Sequence, residues 1–126
     1  MLTDLTLTEA RDKLRSGAIS ALELARAHLD RIRAIDPQVR AFLLVTEEHA
    51  LEAAAEADRR LGRGDDAPLL GVPLAIKDVL MTRGVPTTAG SRILEGYVPP
   101  YTATALERLF AAGALSETPV SIAGLT

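Results

Sequence analysis

Through the first half of the chain, apolar residues recur at helical spacing between polar ones, and capping residues mark where each run begins. Thr6 and Glu9 stand at the Thr-x-x-Glu spacing of a capping box, in which each side chain satisfies a free backbone N–H. A helix is predicted from there to about Ser16, with Gly17 free to take the left-handed conformation. Ser20 and Glu23 form a second capping box, with Ile19 and Leu24 at hydrophobic-staple spacing. Leu22, Ala25, Leu29 and Ile32 continue that helix, and Asp36-Pro37 is expected to stop it. A third helix follows Thr46 through Ala-rich sequence to Leu61, with Gly62 as its stop. A fourth starts near Thr102, carries Leu106, Leu109 and Phe110, and ends at Gly113.

Two short apolar runs read as strands. Ala41-Phe42-Leu43-Leu44-Val45 is one. Val72-Pro73-Leu74-Ala75-Ile76 is the other, apolar on both faces as a covered strand is, with Pro73 near its start where no N–H is needed. A third strand could begin at Ala114, but Ser116-Glu117-Thr118-Pro119 reads as a turn. The polar loop Arg63–Pro68 divides a helical first half from a mixed second half. Residues 1–66 are therefore expected to be mainly helical, and 67–126 to hold the strands.

Composition narrows the picture. A chain of 126 residues, 48% apolar, is long enough for one core, and with two Phe, two Tyr and no Trp that core is built from Ala, Leu, Val and Ile. The net charge of −3, with both signs interspersed, is not the basic stripe of a nucleic-acid interface, so no direct nucleic-acid binding is expected. There is no Cys, and His28 and His49 lie far apart, which argues against a disulfide framework or a metal site. No run approaches the length needed to span a membrane, and a soluble cytoplasmic protein is the expectation.

One residue is out of keeping with its surroundings. Lys77 closes the apolar run Leu69–Ile76. If partly buried there, its ammonium is disfavoured and a neutral amine becomes available as a base. If the strand simply ends, the side chain reaches solvent, as long charged side chains commonly do, and pattern alone favours this second reading. Asp78 follows, but neighbours on a strand point to opposite faces, so it need not pair with Lys77. The stretch Thr82–Ser91 is dense in glycine and hydroxyl residues, the composition of a loop at a strand end. Ser91 lies in it with neither a base nor a Gly-x-Ser-x-Gly elbow.

These residues carry a resemblance. Gly71-Val72-Pro73-Leu74-Ala75-Ile76-Lys77-Asp78 resembles the Gly-(Ile/Val)-Pro-x-(Ala/Ser)-(Ile/Val)-Lys-Asp segment that opens the catalytic core of amidase-signature enzymes. Gly84-Val85-Pro86-Thr87-Thr88-Ala89-Gly90-Ser91 matches the loop that follows it in that family. The run from Ile93 to Thr104 is most similar to the branch formed by the A-subunits of the aspartyl/glutamyl-tRNA amidotransferases. Residues 6–11 and Gly17-Ala18-Ile19-Ser20 fit the family's N-terminal helices, so the resemblance runs from about Leu5 to Ala114.

The resemblance implies an α/β fold: the N-terminal part of the amidase-signature fold, a mixed sheet covered by helices, here truncated. It implies a Ser–cis-Ser–Lys triad with Lys77 as the Lys, a neutral base acting through the cis-Ser on a nucleophilic Ser, beside a backbone oxyanion hole. It implies glutamine hydrolysis that supplies ammonia for amidation of Glu-tRNA(Gln) or Asp-tRNA(Asn). Partner subunits would bring the tRNA and use the ATP, and this chain would need no cofactor. A free-standing amidase acting on other carboxamides is the alternative, and a non-catalytic remnant a third.

Two departures are visible. Thr102 stands where the family often has Asp, and a Thr can still cap the helix. Beyond Ala114 the family continues with a buried strand and then a Gly- and Ser-rich segment; Leu115–Thr126 does not match it. None of Ser16, Ser20, Ser91, Ser116 or Ser121 lies in a matching context, so no nucleophile is assigned and these residues alone are expected to be inactive. Uncovered strand edges and apolar helix faces are expected to make the chain poorly stable and prone to aggregate.

Overall fold

The computed structural model describes residues 1–114 and, for the backbone alone, 120–122. A 3-10 turn at Leu2–Asp4 precedes α1 (Leu7–Ser16), α2 (Ala21–Val39) and α3 (Glu47–Gly62). Then come β1 (Ala75–Lys77), a 3-10 turn at Arg92–Leu94, α4 (Thr104–Ala111) and β2 (Val120–Ile122).

Both predicted capping boxes form. Thr6 Oγ1 accepts from Glu9 N at 3.3 Å while Glu9 Oε2 accepts from Thr6 N at 2.8 Å. Gly17 closes α1 at φ 74°, with Gly17 N on Leu14 O and Ala18 N on Lys13 O. In α2 the reciprocal pair of Ser20 and Glu23 satisfies the amides of Ser20 and Glu23. The two amides left between them, Ala21 N and Leu22 N, donate to Asp58 of α3 at 2.6 and 3.1 Å. The first turn of α2 thus has all its free donors met, half by its own side chains and half by a carboxylate from its neighbour.

Contrary to expectation, α2 does not stop at Asp36-Pro37 but continues through Pro37 to Val39. Only one intrahelical bond is forfeited at a proline so near the end. Beyond the helix end, Asp36 Oδ1 accepts from Ala41 N at 2.7 Å and Phe42 N at 3.3 Å, below a left-handed Arg40 at φ 55°. Ala41–Val45 is accordingly not a strand. Its first amides serve this cap, and Leu44 alone is a β-bridge residue.

Helices α2 and α3 pack together through small residues. Ala50, Ala54 and Ala57 form one buried stripe of α3, and Ala21, Leu24, Ala25 and Leu29 line α2. Ala10 and Leu14 of α1 complete the core from one side, Leu70 and Val72 from the other. Gly71 (φ 82°) passes so close to α2 that a Cβ there would lie 3.0 Å from Ala21 Cβ. The same segment bonds to the end of α4, through Leu69 N to Ala112 O and Gly71 N to Gly113 O.

This turn explains why β1 is shorter and later than predicted. Val72 N is spent on Leu69 O and Pro73 has no N–H, so regular pairing begins only at Ala75. β1 pairs in parallel with β2, in the register Ala75↔Val120, Ile76↔Ser121, Lys77↔Ile122. β2 has no counterpart among the strands predicted from the sequence. The possible strand from Ala114 and the turn at 116–119 fall on 115–119, outside the described residues. Helix α4 begins at Thr104, near Thr102 as expected, but does not use Thr102 as its cap: the Thr102 hydroxyl accepts from Arg83 N at 3.0 Å instead.

Candidate functional site

Lys77 lies at the C-terminal end of β1, and the strand's alternation decides the direction of its neighbours. Ile76 and Asp78 are buried, whereas Ala75 and Lys77 are exposed. The structure therefore places the Lys77 side chain in solvent in this chain, on the face opposite Ile76. Asp78, only 4% exposed, points away from it.

Asp78 is engaged by the loop. Its Oδ1 accepts from Thr88 N at 3.0 Å, and its Oδ2 accepts from the Thr88 hydroxyl and, at 3.4 Å, from Gly90 N. Its backbone carbonyl accepts from Ala89 N at 2.9 Å. Three consecutive amides, 88 to 90, are thus gathered on one residue, with Ala89 and Gly90 at φ 51° and 70°. Successive amides turned inward in this way make a concavity suited to an anion, and here the chain's own carboxylate occupies it.

The rest of the loop is stitched as two antiparallel lengths. Ala103 N bonds to Met81 O, Gly84 N to Pro99 O, and Thr87 N to Tyr97 O. Arg83 adds its Nε to Pro100 O at 3.1 Å. Pro86, Pro99 and Pro100 keep this from becoming a regular ladder. Thr82, Val85, Thr87 and Pro99 of these lengths are buried. Arg83, Thr102, Glu107 and Phe110 border an open cleft of about 350 Å³ beside it.

Ser91 is committed elsewhere. Its hydroxyl accepts from Ile93 N at 3.2 Å and caps the Arg92–Leu94 turn, which fits the absence of any base beside it. Among the described residues no group of three His, Asp or Glu side chains is arranged to hold a metal, and no helix is long and apolar enough to cross a membrane. Sequence reasoning singles out Lys77 and the loop. It misses Asp78 as the residue joining them, because it weighs that carboxylate only as a partner for Lys77. The signal is present: an acid closing an apolar strand, followed by a Thr-x-Gly turn.

The amidase family model matches residues 23–121. The chain belongs to the amidase family. The match runs past Ala114, where the resemblance in the sequence ends, and the added stretch includes the first residues of β2. Among curated amidase relatives, the A-subunit of the glutamyl-tRNA(Gln) amidotransferase of Desulfatibacillum aliphaticivorans is 54% identical over 114 residues, 90% of this chain and 24% of that protein. Its counterpart of the same name from Chloroflexus aggregans is 56% identical over 110 residues, 86% of this chain and 22% of its own length. Among solved structures, the native peptide amidase of Stenotrophomonas maltophilia superposes with a TM-score of 0.79 at 32% identity, covering 93% of this chain and 23% of that one. The chain thus spans about a quarter of the length of the curated relatives it matches, their N-terminal part. The fold is that part of the amidase-signature α/β fold.

Proposed function

We propose that this chain supplies the N-terminal part of a glutamine-hydrolysing amidotransferase subunit, with Lys77 as the base of its triad. Residues 1–66 form its helical N-terminal part and 67–126 the start of its catalytic core. The observation that carries the reading is the position of Lys77. It closes β1, in a motif shared with amidases, with its amine on the open face and the neighbouring carboxylate turned away. A base at that point needs a lone pair, and an adjacent ion pair would hold the proton on the amine.

The chemistry follows in balanced steps. A serine hydroxyl, contributed by the part of the enzyme that this chain does not span, attacks the carboxamide carbon of glutamine. Its proton passes through a second serine to the Lys77 amine, which the part of the enzyme that this chain does not span would cover and so hold neutral. The C–N bond breaks, the relayed proton goes to the leaving nitrogen, and ammonia departs. Water then cleaves the glutamyl ester by the same relay, releasing glutamate. Partner subunits would receive the ammonia, bring the aminoacyl-tRNA and use ATP to activate it.

The test is a chimera in which this chain replaces the matching N-terminal quarter of a curated relative. Glutamine hydrolysis that rises when the partner subunits are added is the expected result. A soluble, assembled chimera with no glutamine hydrolysis would overturn the reading. The peptide amidase superposition favours a second reading, a free-standing amidase on other carboxamides. That reading predicts turnover of peptide amides without partner subunits.

A further inference from the structure

We propose that Asp78 is a positioning residue for Lys77: its carboxylate locks the 88–90 turn against the end of β1 and so fixes the direction in which Lys77 leaves the strand. The inference deepens the reading of Lys77 given above and rests on it for its functional meaning.

Lys77 has support on two sides. Before it and alongside it, β1 is fixed by Ile76 in the core and by the pairing of Lys77 with Ile122. Immediately after it, the chain turns, with Leu80 N donating to Lys77 O at 3.0 Å. Among the described residues nothing apolar holds that turn: Val79 and Leu80 are both exposed, at 55% and 36%. The anchor is Asp78. A buried carboxylate needs donors, and among the described residues the three donors to it come from Thr88 and Gly90. The turn in return needs an acceptor, because its amides at 88 and 90 face inward and Ala89 holds a left-handed conformation that a non-glycine residue rarely adopts. Each half completes the other, and such a paired set fixes one geometry where apolar packing would allow several.

The chain offers an unusual reporter, since Lys13 and Lys77 are its only lysines. Reductive methylation with labelled formaldehyde gives one side-chain signal at the site and one on α1 as an internal control, in addition to the amino terminus. Native chain, Asp78→Asn and Thr88→Val are compared. Asn keeps the shape of Asp78 but removes its charge and turns an N–H toward Gly90 N. Val keeps the carboxylate and removes only the Thr88 hydroxyl.

In Asp78→Asn, amide exchange at Thr88 and Gly90 is expected to quicken about tenfold or more, the effect of losing one hydrogen bond to a charged acceptor, with Leu24 and Ala25 in α2 unaltered. The Lys77 signal is expected to move in both variants, with the Lys13 signal fixed. A Lys77 signal unchanged in Thr88→Val would overturn the proposal, because the charge of Asp78 and not its grip on the turn would then act on the lysine. Uniformly faster exchange, α2 included, would overturn it too, as general loosening. Should Asp78→Asn fail to fold, Thr88→Val alone decides. The base assignment fails separately: an active chimera indifferent to Lys77→Ala removes it and leaves these signals as they are.

Discussion

The helical first half and the loop that follows β1 are held together by different forces. In the first, what is buried is apolar: Ala10, Leu14, Ala21, Leu24, Ala25, Leu29, Ala50, Ala54 and Ala57. In the second, Asp78, Thr82 and Thr87 are buried, and these are the only buried polar or charged residues among those described. The loop also leaves much apolar surface open, with Ile93 93% exposed and Tyr97, Val98 and Tyr101 exposed beside it. Apolar packing is non-directional and gives stability roughly in proportion to area. A buried polar network adds little net stability but specifies one arrangement. The helical half is therefore built to be stable, and the loop to be exact about where the end of β1 lies.

That contrast is broken most sharply at Lys77. In the chimera, Lys77→Ala is expected to lower glutamine hydrolysis by about a hundred- to ten-thousand-fold, the range for losing a general base. Lys77→Arg is expected to fare no better, since a guanidinium does not give up its proton. In the chain alone, where the side chain is exposed, both variants should melt with the parent. Steady-state hydrolysis by the chimeras and a thermal scan of the chains check the pair of outcomes. In the helical half the pattern inverts. Leu24, fully buried, sits in the middle of the core, and Leu24→Ala is expected to cost about 2–5 kcal/mol, measured by denaturant unfolding of the chain. A loss below about 1 kcal/mol would mean that the helical core does not carry the stability assigned to it.

The same division decides what can be read from sequence. Helices α1 and α2 are legible because their caps are local: Thr6 with Glu9, and Ser20 with Glu23, lie within one turn of each other, while α3 is legible from its Ala-rich run. The end of α2 is misread because Asp36 gathers, from five and six residues away, the amides that follow the helix. The family is legible from an ordered motif, but the tie from Asp78 to Thr88 and Gly90 spans ten residues and more and leaves no periodicity. β2 is missed for a related reason: parallel pairing joins distant segments, and three residues are too few to show a strand pattern. Thr102 is misassigned because a hydroxyl just before a helix reads as a cap whether or not another donor, here Arg83 N, claims it.

Asp58 offers a smaller break within the helical half, and one that separates capping from packing. Its carboxylate meets two amides of α2 from α3. Asp58→Ala is expected to cost about 1–3 kcal/mol, since it leaves two part-buried donors without a partner. Asp58→Asn should recover part of the loss, because one amide oxygen can still accept. If Asn and Ala unfold at the same denaturant concentration, the interhelical bonds contribute nothing beyond what the Ser20 and Glu23 box already provides.

The smallest expected effect is a pH dependence, and its sign follows from burial. Half-burial of His28 on α2 lowers its pKa from the ordinary 6.5, because desolvation disfavours the imidazolium. The unfolded chain therefore binds a proton at a higher pH than the folded one. Stability from this group is fully present above about pH 6.5 and falls as pH drops toward the folded value, then levels off below it. The paired carboxylates act in a different window. Glu9 is held below its ordinary pKa by the Thr6 amide, Glu56 by Arg59, and Asp65 by the Ala67 amide. Their contributions are lost only below about pH 4.5, as pH falls through the lowered values. A scan from about pH 7.5 to 5.5 isolates the histidine. Over that interval the native chain should lose thermal stability and His28→Gln should lose less. Parallel curves would mean that the imidazole is as well solvated in the folded helix as in the unfolded chain. In that case α2 is looser along this face than the burial of Leu24, Ala25 and Leu29 implies, and the contrast between a stable helical half and a positioned loop would have to be drawn less sharply.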